Sequence, residues 1–477
     1  MEFPLVGRKE EQETLKKALQ STEAEMVAVI GRRRVGKTFL VSSVYQEQIV
    51  FEITGIQNGS LENQLANFSD QLTEFAKPML PLKQPSNWLE AFQMLRTYLK
   101  QLPDTEKKVI FFDELPWIAT HKSGFLNALG YFWNSWASRQ AIVLVICGSA
   151  ASWMIQKVVN NRGGLHNRIT KRIYLEPFTL GETEHFLKSR NIHFNRYQII
   201  QLYMAMGGIP HYLKEVEGGK SATQNIDAIC FSKNGLLKDE FLRLYPSLFA
   251  NAENHFAVIR ALGEKPQGLN RNQLVEMTKL PNGGGFSKVL EELTHSGFIA
   301  AFRTFGKQKK EKLYRLTDEY SLFYLKFIEQ TAHEGEHIWQ HLSQTQSYKT
   351  WAGYAFESIC LQHIPQIKKA LEIAGIYSLS SAYYKRGNAN EPGIQIDLLI
   401  DRNDQVINIC EIKYFNQKFS ISKAYAEKLR DKMEIFSEAT KTRKQIFLVI
   451  ITTFGLNVNE HSLGLVNQIL TMDDLFA

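Results

Sequence analysis

Apolar and polar positions change rhythm along the chain. Met26-Val-Ala-Val-Ile30 and Ala141-Ile-Val-Leu-Val-Ile-Cys147 are unbroken apolar runs of strand length, the pattern of strands buried on both faces of a parallel sheet. Lys107-Lys-Val-Ile-Phe-Phe-Asp113-Glu114 is a further such run, ended by two carboxylates, and Ile49-Val-Phe-Glu-Ile53 is another strand. Between them the period lengthens. Lys9 to Leu19 is amphipathic with an acidic first turn, and residues 61 to 102 are largely helical with a break around Pro78 to Pro85. Residues 180 to 203 are also helical, and Gly207-Gly208-Ile209-Pro210 forms a sharp turn. The rhythm changes again from Glu253. Three short helices over Phe256–Leu262, Asn270–Met277 and Phe286–Leu293 precede two strands, Phe298–Arg303 and Leu313–Leu316, giving a winged helix-turn-helix. The last stretch predicts a helix over Trp351–Ile364 and strands over Ile394–Ile400, Gln405–Lys413 and Arg443–Ile451.

The first apolar run leads into Gly31-Arg-Arg-Arg-Val-Gly36-Lys37-Thr38, and Thr38 to Tyr45 continues as a helix. Strand, glycine-rich loop and helix in this order make a phosphate-binding loop. Gly31 and Gly36 permit the tight turn that aims backbone N–H groups, Arg34 among them, at phosphate oxygens. Lys37 reaches the β and γ phosphates, Thr38 holds Mg²⁺, and the helix N-terminus adds its positive end. Asp113 at the end of its strand is the second Mg²⁺ ligand, and Glu114 the general base that polarises the attacking water. Ser149, after the neighbouring strand, reads either as a contact to the γ phosphate or as a helix cap. Arg168 or Arg172 is a candidate arginine finger, supplied from a neighbouring subunit. The Gly207–Pro210 turn is a candidate to sit against the nucleotide.

Val6-Gly7-Arg8, GRRRVGKT, FFDELPW, CGSAASWM and Gly207–Pro210 together resemble the archaeal-type ATPases. These belong to the signal-transduction ATPases with numerous domains and are related to origin-recognition AAA+ proteins. The resemblance implies an ATPase core with Val6 and Gly7 at the nucleotide, a helical lid whose Pro210 turn approaches the adenine, a winged helix and a C-terminal domain. It also implies a nucleotide-driven switch, in some relatives part of mobile-element or defence systems.

In the last domain, Tyr354, Glu357, Leu361 and Ile364 share one helix face, which places Glu357 in an apolar stripe. Ile394, Ile396, Leu398 and Ile400 point inward and Asp397 opposite, while Glu411 and Lys413 project from one side of the next strand. If Asp401 pairs with Gln405, Asp397 and Glu411 become diagonal neighbours roughly 7–8 Å apart at Cα and can share Mg²⁺ or Mn²⁺. Lys413 then positions water and offsets phosphate charge. The arrangement resembles the PD-(D/E)XK nucleases, with Glu357 as the helical acid, Asp397 as the strand acid and Glu411-Ile-Lys413 as E-x-K. The proline usual before the aspartate is replaced by Ile396. Lys418, Lys423, Lys428 and Arg430 either line a nucleic-acid groove or form a solvated face.

Composition narrows the setting. At 477 residues, 44% hydrophobic and 22% charged, the chain suits an ordinary folded protein of several domains. No apolar run approaches the ~20 residues of a membrane span. The start, Met1 to Arg8, is not a signal peptide. Cys147, Cys230, Cys360 and Cys410 lack paired spacing and read as buried thiols, so the expected location is the cytoplasm. A net charge of +7 is compatible with a nucleic-acid partner. Between Arg303 and Arg315 the bases Arg303, Lys307, Lys309, Lys310, Lys312 and Arg315 face one acid, Glu311. That suits phosphate contacts. The recognition helix, with Ser287, Lys288, Glu291 and Glu292, offers little base-reading chemistry, so the module is either a weak sequence-neutral contact or a spacer.

The expected protein is therefore α/β. Residues 1–215 form a P-loop ATPase sheet with a helical lid, 216–330 a linker and winged helix, and 331–477 a restriction-endonuclease-like domain. The expected cofactors are ATP and Mg²⁺, and the expected partners are DNA rather than RNA and further copies of the chain, with no membrane. The competing reading is an ATP-controlled switch whose C-terminal domain binds DNA or protein without cutting.

Overall fold

The computed structural model describes residues 4–477 apart from 80, 104, 105, 121, 162, 250, 304, 307–311, 332–336, 386 and 388–392, with Arg303 described by its backbone alone. Of the basic stretch expected on the wing, Lys307, Lys309, Lys310 and Glu311 lie outside the described residues, as do Met1 to Phe3. The chain forms two compact units, Met1–Pro177 and Phe178–Ala477.

In the first unit, strands β1 (Glu25–Ile30), β2 (Ile49–Thr54), β3 (Lys108–Asp113), β4 (Ile142–Gly148) and β5 (Lys171–Tyr174) form a sheet in the order β2-β3-β4-β1-β5. Every pairing is parallel. β1 and β4 are buried along their whole length, which is why their sequences carry no alternation. Helices Leu61–Ala76 and Trp88–Leu99 lie on either side of the expected break, opened by the side-chain caps Ser60 and Asn87. Trp88 locks this layer: its ring stands 4.7 Å from Phe125, 5.8 Å from Phe68 and 6.2 Å from Phe92. Lys107 donates to the carbonyls of Ala18, Ser21 and Glu23 and so closes the C-terminus of helix Lys9–Gln20. The parallel register brings the ends of β1, β3 and β4 side by side, where open α/β sheets hold their ligands.

The second unit begins with helices Leu180–Ser189 and Arg196–Met206, the segment expected as a lid. His363 fastens it to the C-terminal part. The Leu180 N–H donates to His363 Nε2 at 3.0 Å, and His363 Nδ1 bonds the Ile359 carbonyl at 2.8 Å. Burial holds this imidazole down at about 4, so it bridges as a neutral ring. Helices Ala252–Glu264, Arg271–Thr278 and Gly284–His295 follow, with β6 (Leu269–Asn270), β7 (Ile299–Arg303) and β8 (Lys312–Leu316) in the order β6-β8-β7.

After helix Gln346–Gln362 come β9 (Ser378–Lys385), β10 (Ile394–Arg402), β11 (Val406–Lys413), β12 (Phe419–Ser420), β13 (Gln445–Thr452), β14 (Leu456–Asn457) and β15 (Gln468–Leu470). The main sheet runs β15-β13-β11-β10-β9, antiparallel from β9 to β11 and parallel beyond. Helix Lys423–Thr440 makes the crossover from β11 to β13.

Sequence expectations need correction here. Asp401 pairs with Ile407, not Gln405, because Arg402 folds onto Asp404 at 2.9 Å and Gln405 takes a left-handed φ of 65°. Asp397 and Glu411 are the residues next to the Leu398–Cys410 pair on the two strands. Strand β10 also bulges against β9 between Ile396 and Leu399, so Ile394, Ile396 and Leu399 share one core and the inward alternation through Leu398 and Ile400 breaks. The buried face of helix Gln346–Gln362 is Ala352, Ala355, Phe356, Ile359 and Cys360. Glu357 lies beside that face, bordering a cavity, and Ile364 starts a separate helix.

Candidate functional site

At the end of β1 the chain turns at Gly31, where a Cβ would stand 2.3 Å from the Leu175 carbonyl oxygen, so no larger residue fits. Arg34 and Gly36 take left-handed φ values of 72° and 91°, and helix Lys37–Tyr45 begins. Arg8 is buried and donates to the Val35 carbonyl at 3.4 Å. Val6 and Gly7, just before it, are half-buried. The buried Lys37 ammonium donates to the Arg32 carbonyl at 3.0 Å, which folds it over its own loop.

The acids arrive from the neighbouring strands. Thr38 Oγ1 donates to Asp113 Oδ2 at 2.7 Å, and Asp113 Oδ1 accepts the Glu114 N–H at 2.9 Å. Glu114 sits at a left-handed φ of 47°. Its Oε2 accepts from Ser149 twice, from the N–H at 3.0 Å and from the hydroxyl at 2.8 Å. Ser149 is therefore a positioning residue for Glu114, which neither sequence reading of it anticipated. Burial and the nearby Asp113 raise the Glu52 carboxyl, and burial pushes the Cys147 thiol well up, with Asp113 adding to it. A hydroxyl and a carboxylate in contact, with further carboxylates nearby, form a hard-oxygen donor set that suits Mg²⁺. Thr38 and Asp113 would hold the ion, whose charge would offset that of the β and γ phosphates.

Other candidates are placed elsewhere. Arg168 is exposed in the turn before β5, and Arg172 is exposed on β5 beside Ala28. Since β5 runs parallel to β1, Arg168 lies toward the sheet end opposite the phosphate loop of its own chain. Pro210 opens the short helix Pro210–Leu213 in the second unit, where Gly208 is pinned: a Cβ there would stand 1.9 Å from the Phe178 carbonyl oxygen.

The second candidate site gathers Glu357, Asp397, Glu411 and Lys413. Asp397 Oδ1 accepts from Gln395 at 2.7 Å and from Arg315 of β8 at 3.2 Å. Arg315 is buried and also donates to the Gln267 carbonyl at 2.9 Å. Glu411 takes Tyr425 Oη at 2.5 Å and Lys413 at 2.9 Å on one oxygen, and Lys432 at 2.7 Å on the other. Burial alone would raise the Glu411 carboxyl, but Lys432 and Lys413 hold it down at about 2. Burial, then the nearby Asp397, pushes Glu357 up to about 8. Among the described residues no group of three His, Cys, Asp or Glu side chains is arranged to hold a metal ion. As they stand, Asp397 and Glu411 do not fit the shared Mg²⁺ or Mn²⁺ expected of them, because cationic and amide donors already engage them. Lys432 and Tyr425 were absent from the sequence reading, and Arg315, expected on the wing as a phosphate contact, is instead buried against Asp397.

A buried parallel sheet, a glycine-rich loop opening a helix, a Thr–Asp link and an adjacent carboxylate define a P-loop nucleotide site. Residues 5–216 match a family described as an ATPase domain predominantly from Archaea. The chain is 22% identical to an uncharacterized protein of Methanocaldococcus jannaschii, over 87% of this chain and 88% of that one. Among solved structures it is similar to a Walker-type ATPase of Pyrococcus abyssi, with 17% identity, a TM-score of 0.49, and coverage of 67% of this chain and 96% of the other. It is also similar to the ORC2 protein of Aeropyrum pernix in ADPNP–ADP complexes, at 16% identity, a TM-score of 0.41, and 72% and 97% coverage. The chain carries an ATPase domain of the archaeal type. No helix among the described residues is long and apolar enough to cross a membrane.

Two measurements check these geometries. Glu114→Gln keeps ATP binding but lowers phosphate release about 10²–10⁴-fold, whereas Ser149→Ala gives a smaller loss of turnover at unchanged affinity; equal turnover in all three proteins would remove Glu114 from the chemistry. Because the folded state holds the Glu357 proton up to about pH 8 while the unfolded chain releases it near pH 4.5, its contribution is full below that value and is lost as pH rises to about 8. Denaturation midpoints of Glu357→Gln relative to wild type should therefore increase from pH 5 to pH 9.

Proposed function

We propose that this chain is a Mg²⁺-dependent ATPase whose nucleotide state controls a nuclease-like domain acting on DNA. The phosphate loop, with Lys37, Thr38, Asp113 and Glu114, binds and hydrolyses ATP in an assembly of several copies, and Arg168 of one copy completes the site of the next. Residues 1–215 act as ATPase core and lid. Residues 216–330 are linker and winged helix, and 331–477 are the nuclease-like domain. The observation that carries the nuclease-like reading is the convergence of Glu357, Asp397, Glu411 and Lys413 on a helix and two paired strands; the coupling to the nucleotide rests on domain order alone.

A specific observation favours a second reading, an ATP-controlled switch that binds DNA or protein without cutting. Both oxygens of Glu411 are occupied by Lys413, Tyr425 and Lys432, and Asp397 is occupied by Arg315. Plasmid DNA incubated with Mg²⁺ or Mn²⁺, with ATP or a non-hydrolysable analogue, separates the two. The nuclease reading expects wild type to cut and Asp397→Ala and Lys413→Ala to fall by about 10²-fold or more. No cutting by wild type in any nucleotide state leaves the switch.

A further inference from the structure

Between the three-helix module and β9 lies a groove of about 690 Å³. Its described lining includes four cations, Lys265, Arg271, Lys312 and Arg315, and no carboxylate. The cations are of two kinds. Arg271 and Arg315 are pinned, the first on Asn282, the Gly283 carbonyl and the Phe286 ring, the second on Gln267 and Asp397. Lys265 and Lys312 are exposed, and among the described residues neither has an ion-pair partner. Leaving two ammonium groups uncompensated beside two fixed guanidiniums is electrostatically unfavourable for the empty groove and favourable for a polyanion within it.

The rest of the lining narrows the polyanion. Tyr314 and Tyr384 contribute phenol rings, and Tyr384 is 58% exposed on β9. A large aromatic left that open beside cations makes a stacking platform, the combination that holds unpaired bases while the cations track their phosphates. A duplex keeps its base faces stacked and would leave the rings unused. The lining also includes Gln395 and Arg315, the two residues that donate to Asp397.

We infer that this groove binds single-stranded nucleic acid and leads its backbone to Asp397. The inference rests on the reading that the second unit acts on nucleic acid. It places the strand between β8 and β9 rather than along Lys423 and Lys428 of the crossover helix.

The test uses the full chain and a fluorescein-labelled, mixed-sequence single strand of about 16 nucleotides, followed by anisotropy across a salt series. Lys265→Ser with Lys312→Ser should weaken binding at least about tenfold and reduce the log–log salt slope by roughly 1.4. Tyr384→Ala should weaken binding by about 5-fold or more with the slope unchanged. Lys423→Ser with Lys428→Ser should bind as wild type, and unchanged circular dichroism and thermal unfolding in every variant show intact folding. Groove variants that bind as tightly as wild type overturn the groove while the action on DNA survives. So does an equal loss in the Lys423/Lys428 pair, or a preference for duplex of the same sequence. Wild type that binds no nucleic acid in any nucleotide state removes both this inference and the reading beneath it.

Discussion

The hydroxyl of Thr38 and the carboxylate of Asp113, 2.7 Å apart, tie the phosphate loop of one strand to the acid of another. That contact exists only because β1, β4 and β3 are parallel neighbours whose ends arrive together. Once it forms, the rest of the site follows. Asp113 receives the Glu114 N–H, Glu114 turns left-handed, and its carboxylate meets the two donors of Ser149 on the adjacent strand end. The Glu114 carboxylate is thus held in position by strands that are themselves fixed by their burial. Thr38, Asp113 and Glu114 thus gather oxygen donors beside a loop that also carries Arg32, Arg33, Arg34 and Lys37, a setting that suits a divalent ion carried by a triphosphate.

The second unit solves the opposite problem. Its acids are already compensated, Glu411 by Lys413 and Lys432 and Asp397 by Arg315. Buried charges of this kind are tolerated only when paired, and the pairing holds the strands and the crossover helix together. The same pairing sets what any activity there requires: a competing charge must draw Arg315 or Lys432 away before a cation can replace them. Arg315 both lines the neighbouring groove and donates to Asp397, so it links the two.

What the sequence showed plainly was local. The apolar runs of β1 and β4, the glycine-rich loop and the Asp113–Glu114 pair each signal themselves within a few residues, and all fall where the pattern put them. Whether Asp397 and Glu411 share a face hung on the Asp401–Gln405 pairing, a turn length that the residues alone left open. The bulge in β10 was missed, although the Leu398-Leu399 doublet, which breaks a period of two, was its signal. β9 was missed because Ser378-Leu-Ser-Ser carries little strand character. Partners far apart in sequence left no signal: Arg315 meets Asp397 across 82 positions, and Lys432 meets Glu411 across 21. The contact of Ser149 with Glu114, 35 residues away, left no signal for the same reason.

The central claim is that the first unit grips a triphosphate through the loop from Gly31 to Thr38. Calorimetric titration of the full chain with ATP and Mg²⁺, wild type against Lys37→Ala, tests it most directly. The account predicts that affinity falls at least about 100-fold, the scale of losing a buried charge-assisted contact to phosphate. Binding by Lys37→Ala with wild-type affinity and stoichiometry would contradict it.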